Sequence, residues 1–103
     1  MHVAREFRDL RKAIAVRSEA SCRVILEHLD ALQVMLEKAQ AMRAEDPDYS
    51  LVLHQIGVHA DAVLKTVRQS GIKGIRIPPA MHILRTSSRQ ADLTRQLARQ
   101  IVS

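Results

Sequence analysis

Apolar residues recur along the first forty positions at helical spacing. Phe7, Leu10 and Ile14 are three and four apart, and Ile25, Leu29, Leu32, Leu36 and Ala39 continue at four, three, four and three. That rhythm predicts an amphipathic helix over about 4–43, a stretch free of Gly and Pro. The stripe loses its large apolar residues over Arg17-Ser18-Glu19-Ala20-Ser21. Two structures fit: one helix of about 40 residues, roughly 60 Å long, or two helices hinged near Ser18–Ser21 with Ser as N-cap. The absence of Gly and Pro favours the single helix. So long a stripe exceeds what the rest of the chain is expected to cover, which predicts a second copy as its partner.

The next boundary lies at Asp46-Pro47-Asp48, with Asp46 as N-cap and Pro47 in the first turn. A helix over about 47–69 follows, its apolar face built from Val52, Ile56, Val63 and Val67. Lys65 and Arg68 suit its C-terminal dipole, and Gly71 is placed to end it. Residues 70–79 read as a linker, since Pro78 and Pro79 stop any strand. Pro79 can open a short helical turn through Leu84. A last helix is expected from Ser87 or Ser88, where Ser87 and Gln90 make a capping box and Leu93, Leu97 and Ile101 a stripe. The C-terminal helical segment thus covers about 80–102.

The predicted fold is therefore all-α in one domain over 1–103: a long helical hairpin plus a C-terminal helix, assembled as a helical-bundle homo-oligomer. Its oligomer interface would comprise Ile25, Leu29, Leu32, Leu36, Val52, Ile56 and Val63. Composition agrees: 47% of the chain is hydrophobic but only Phe7 and Tyr49 are aromatic, with three Gly and three Pro. Leu, Ile, Val, Ala and Met must build the core, which suits helices better than sheets. Cys22 is alone, so an intrachain disulfide and a Cys-based zinc cage are excluded. With no apolar run of membrane-spanning length and a charged N-terminus, a cytoplasmic setting without membrane contact is expected.

Charge changes the functional picture. The net charge of +5 divides into +3 over residues 1–23, −4 over 24–50, +1 over 51–70 and +5 over 71–103. Basic ends around an acidic middle suit nucleic acid, or self-association of middle against end. The candidate nucleic-acid-binding residues are Arg5, Arg8 and Lys12 near one end, and Arg85, Arg89, Arg95 and Arg99 near the other. The shortage of aromatics argues against single-strand binding by base stacking and leaves duplex DNA, held by its backbone, as the nucleic-acid partner. The alternative partner is another protein, engaged by helix packing.

Catalytic and metal chemistry find no motif. There is no GxSxG, no P-loop and no glycine-rich turn after a strand, so no enzyme is expected. Cys22 lacks an assignable histidine and reads as packing. His54 and His59 are five apart, about 500° round a helix, rather than the i,i+4 that brings two imidazoles to one metal. His28 is isolated in sequence. No cofactor and no metal are expected, although sequence spacing does not exclude a site assembled across helices or chains.

Residues 25–37, Ile-Leu-Glu-His-Leu-Asp-Ala-Leu-Gln-Val-Met-Leu-Glu, and residues 52–63, Val-Leu-His-Gln-Ile-Gly-Val-His-Ala-Asp-Ala-Val, resemble two helices of the CsoR/RcnR/FrmR family of small helical repressors. The first segment is similar to I-x-G-Q-V-x-G-I-x-x-M-[IVL]-E, the second to V-L-x-Q-I-x-A-V-x-x-A-L. The resemblance implies an all-α homo-oligomer that binds operator DNA through basic helical surfaces. It departs where the family places its sensing Cys, a position filled here by Tyr49 or a neighbour, and where the family's Gly-Gln pair is Glu27-His28.

Overall fold

The computed structural model describes residues 2–102. It contains α1 (Val3–Ala15), α2 (Ala20–Ala41), α3 (Tyr49–Ser70), α4 (Pro79–Leu84), a 3-10 turn (Ser87–Arg89) and α5 (Ala91–Val102). The fold is all-α, with no strand among the described residues.

The expected single helix over 4–43 is two helices. Residues 16–19 break it, and Glu19 enters α2 with extended backbone, φ −62° and ψ 142°. Neither Ser18 nor Ser21 caps α2, which starts without a side-chain cap. A local clamp fixes the break instead. Arg17 Nε donates to Glu19 Oε2 at 2.9 Å, and Arg17 Nη1 donates to the Lys73 carbonyl at 3.1 Å. Val16 is left 85% exposed at the corner. The sequence favoured continuity because no Gly or Pro interrupts it; what decides otherwise is tertiary, since folding α1 back buries Val3, Leu10 and Ile14.

α2 and α3 form the hairpin. At its turn the Asp46 carboxylate accepts the Asp48 N–H at 2.9 Å, so Asp46 holds a side-chain turn before the helix instead of capping it. Gly71 ends α3 with φ +68°, as its place in the sequence implies. Pro79 opens α4. The last helix begins later than expected, at Ala91. The anticipated capping box is not made: the buried Ser87 Oγ donates to the Leu84 carbonyl at 2.6 Å, and the Gln90 amide donates to Thr86 Oγ1. Both interactions hold the tight turn that separates α4 from α5.

The hairpin is covered on one side by a second layer. α1 and α5 pack on α2, α4 and the 3-10 turn pack on α3, and α1 meets α5. Ile25, Leu29, Leu32, Leu36, Val52, Ile56 and Val63, expected between copies, all lie in this intrachain core and are at most 7% exposed. The long stripe is therefore satisfied within one chain, and it no longer demands a second copy. The radius of gyration of 13.2 Å matches the value of about 13 Å for a self-contained domain of 100 residues.

Layer contact is closest at Gly57. A Cβ placed there would stand 2.9 Å from the Arg85 carbonyl oxygen, so the absence of a side chain lets α3 approach the end of α4. Gly57→Ala gains up to about 1 kcal/mol of helix propensity but overpacks against backbone, which costs about 1–3 kcal/mol. A net loss of up to about 2 kcal/mol is expected in urea denaturation; a raised midpoint would refute the close contact.

Candidate functional site

Two of the expected DNA-binding arginines are occupied within the fold. Arg95, on α5, donates to the carbonyls of Ala39, at 3.4 Å, and of Met42. These belong to the C-terminal end of α2, where unpaired carbonyls and the helix dipole attract a cation. The same guanidinium lies over the buried Tyr49 ring, 5.1 Å from its centroid. Arg95 thus joins α5 to the end of α2 and the start of α3, and it is unavailable to a phosphate. Arg85 Nη2 pairs with Asp61 at 3.0 Å, and Lys65 reaches the same carboxylate at 2.8 Å. The hydrogen bond from Lys65, reinforced by the charges of Lys65, Arg85 and Arg68, holds the Asp61 carboxyl below its ordinary range.

The other five cations remain open. Arg5, Arg8 and Lys12 are exposed along α1, and none has an acidic partner among the described residues. Their spacing of three and four puts them on one face, away from buried Leu10 and Ile14. Arg89, in the 3-10 turn, and Arg99, on α5, are also exposed. The anticipated pairing of Arg95 with Arg99 on one free face fails because Arg95 turns inward. Arg85 and Arg89 do not share a face of one continuous helix, because the chain turns between them.

Two features escape the sequence. A cleft of about 650 Å³ opens between α1, the linker and α4. Val3, Leu10, Ala13, Pro78, Ala80, Ile83 and Leu97 give it an apolar lining, with Arg5, Glu6, Asp9 and Arg76 also on its wall. No local pattern announces it, since its walls come from segments some 70 residues apart in the sequence.

The second feature is a histidine pair. His28 on α2 and His59 on α3 bring their Nδ1 atoms to 3.1 Å, with ring centroids 5.4 Å apart. A hydrogen bond at that distance needs one Nδ1 protonated and the other bare. Burial, and the charge that His28 would carry, lower the His59 pKa. Spacing within one helix cannot reveal this pair, because it forms across the hairpin.

Among the described residues no helix is long and apolar enough to cross a membrane, and no group of three or more His, Cys, Asp or Glu is placed to hold a metal. Cys22 is buried and packs as a small hydrophobe. Compared with protein-family models, curated proteins and solved structures, the chain matches none of them.

Two outcomes follow. Arg95→Ala leaves the carbonyls at the end of α2 without their donor and should cost about 1–3 kcal/mol in chemical denaturation. Acid should weaken the fold through His59: its folded pKa lies below the ordinary value of about 6.5, so the unfolded chain takes up the proton first. The His59 contribution is full above that value and declines as pH falls through it toward the folded pKa. His59→Gln should flatten this part of the profile of denaturation midpoint against pH between about 7.5 and 5.

Proposed function

We propose that the chain is a small DNA-binding regulator, working as a homo-oligomer in the cytoplasm and without enzymatic chemistry. The observation that carries this reading is the face of α1 on which Arg5, Arg8 and Lys12 stand exposed and unpaired. Cations held in intramolecular ion pairs are already neutralised; these three are not, so each can displace a counterion from a phosphate. Arg89 and Arg99 are further exposed cations, in the 3-10 turn and α5. Arg85 and Arg95 drop out of the binding set because the fold uses them. The resemblance of residues 25–37 and 52–63 to the CsoR/RcnR/FrmR repressors supports the same class, and those segments make up much of α2 and α3.

A helical protein-interaction module is the second reading. It is favoured by Val24, Val34, Leu51 and Val58, which are 42–54% exposed on the hairpin. Salt separates the two, because phosphate contacts weaken linearly in log salt while apolar packing does not.

The triple change Arg5→Ala, Arg8→Ala and Lys12→Ala should weaken binding to all duplex sequences alike. It should reduce the salt slope by about 2.7, at about 0.9 for each phosphate no longer neutralised. Helix content should hold, since exposed substitutions are usually mild. If the wild-type chain gives no retardation of duplex DNA at about 50 mM salt, the DNA reading fails and the protein-interaction reading stands.

A further inference from the structure

We propose that His28 and His59 are one half of a transition-metal site of the zinc class, completed by the same two histidines of a second copy docked on the open face of the α2–α3 hairpin. The proposal rests on the homo-oligomer in the reading above and is independent of nucleic acid.

The spacing of the two rings already suits a metal. Two nitrogens, each about 2.0–2.1 Å from a tetrahedral zinc, stand about 3.3 Å apart. The Nδ1 atoms of His28 and His59 stand 3.1 Å apart. Either ring nitrogen of a neutral imidazole can ligate. For a metal to enter, the ring that now donates Nδ1–H moves its proton to its own Nε2 and both rings turn so that their lone pairs converge off the Nδ1–Nδ1 line; no oxidant, reductant or leaving group is involved.

The surroundings of the pair suit a second protein surface. The positions three, four and seven residues from a helical residue share its face. Those of them outside the core are Ser21, Val24, Ala31 and Met35 beside His28, and Gln55, Ala62 and Thr66 beside His59. None is charged. On a chain in which 26% of residues are charged, both imidazoles stand in an uncharged patch, bordered by exposed Val24, Leu51 and Val58.

Symmetry identifies the occupant. A single chain provides two nitrogens and, among the described residues, no third ligand beside them, whereas a closed zinc site takes four. In a face-to-face dimer the two-fold axis lies in the plane of contact. With that axis along the helices, a pair on the seam between α2 and α3 meets its own image at any height. With the axis across them, it does so only near mid-length. His28 is the ninth of 22 residues in α2 and His59 the eleventh of 22 in α3, so the pair satisfies both cases. The first arrangement sets the α2 of one copy against the α3 of the other.

The test is a titration of the full wild-type chain with Co²⁺, read by visible absorption, with sedimentation velocity before and after. The expected result is one Co²⁺ per two chains, the visible bands of a tetrahedral site, and a dimer that forms or tightens with metal. His28→Gln and His59→Gln should each lower Co²⁺ affinity at least about 100-fold, beyond the 10–100-fold typical of losing an outer-shell partner, and abolish the metal-driven dimer. His54→Gln should leave both intact, and far-UV circular dichroism checks that each variant is folded. The stoichiometry and mass of the wild type decide the matter even if a variant unfolds. One Co²⁺ per monomeric chain, no binding at micromolar metal, or binding indifferent to both histidines would each overturn the proposal. A dimer indifferent to metal and to both histidines would overturn it while leaving the homo-oligomer standing. Duplex retardation, measured separately, reports on the DNA reading alone.

Discussion

An amphipathic hairpin of two 22-residue helices must have its apolar face covered, and here the chain supplies the cover itself. α1, α4, the 3-10 turn and α5 are all short or weakly helical alone, and each is held by what it covers. The reversal at residues 16–19 is what makes this possible. A continuous helix through that point would carry Phe7, Leu10 and Ile14 away from the core, and the hairpin would need another molecule. The close contact at Gly57 and the reach of Arg95 to the end of α2 serve the same closure from the C-terminal side.

That closure sorts the basic residues. Arg95 and Arg85 face inward or sideways, where helix ends and Asp61 offer negative partners. Arg5, Arg8 and Lys12 are left on the outer side of α1, where only solvent or a ligand can meet them. Pair by pair, the surface bridges such as Arg11 with Asp30, both more than half exposed, are worth at most about 1 kcal/mol. The inward arginine matters more, because its removal leaves half-buried carbonyls at the end of α2 without their donor. A basic count alone therefore overstates the polyanion-binding surface, and the fold selects which members of it are free.

Helical class, the hairpin, the Gly71 stop and the Pro79 start were all legible in the sequence, because each depends on neighbours within a turn or two. The break after α1 was visible only as a gap in the stripe at Arg17–Ser21, since its clamp partner, Lys73, lies 56 residues away. Ser87 looked like a cap because a capping box is a four-residue pattern; the buried Leu84 carbonyl that claims its hydroxyl is not part of that pattern. The candidate site was less legible than the fold. Five of its seven basic residues stay exposed and outside ion pairs, but Arg95 and Arg85 could be recognised as structural only once α2 and Asp61 were placed beside them. The histidine pair and the cleft are products of tertiary approach, and a scan along single helices passes over both.

The corner at residues 16–19 also divides the molecule by strength of attachment. α1 contributes only Val3, Leu10 and Ile14 as buried residues, whereas α2 contributes six and α3 seven. The backbone amides of α1 should therefore exchange with solvent through a local opening of lower free energy than that of global unfolding, while the hairpin stays closed. The helix that carries three of the free cations, Arg5, Arg8 and Lys12, is also the part of the chain that can loosen alone. A ligand gripping α1 would suppress that opening, so its affinity would include the entropy of fixing this one helix in place.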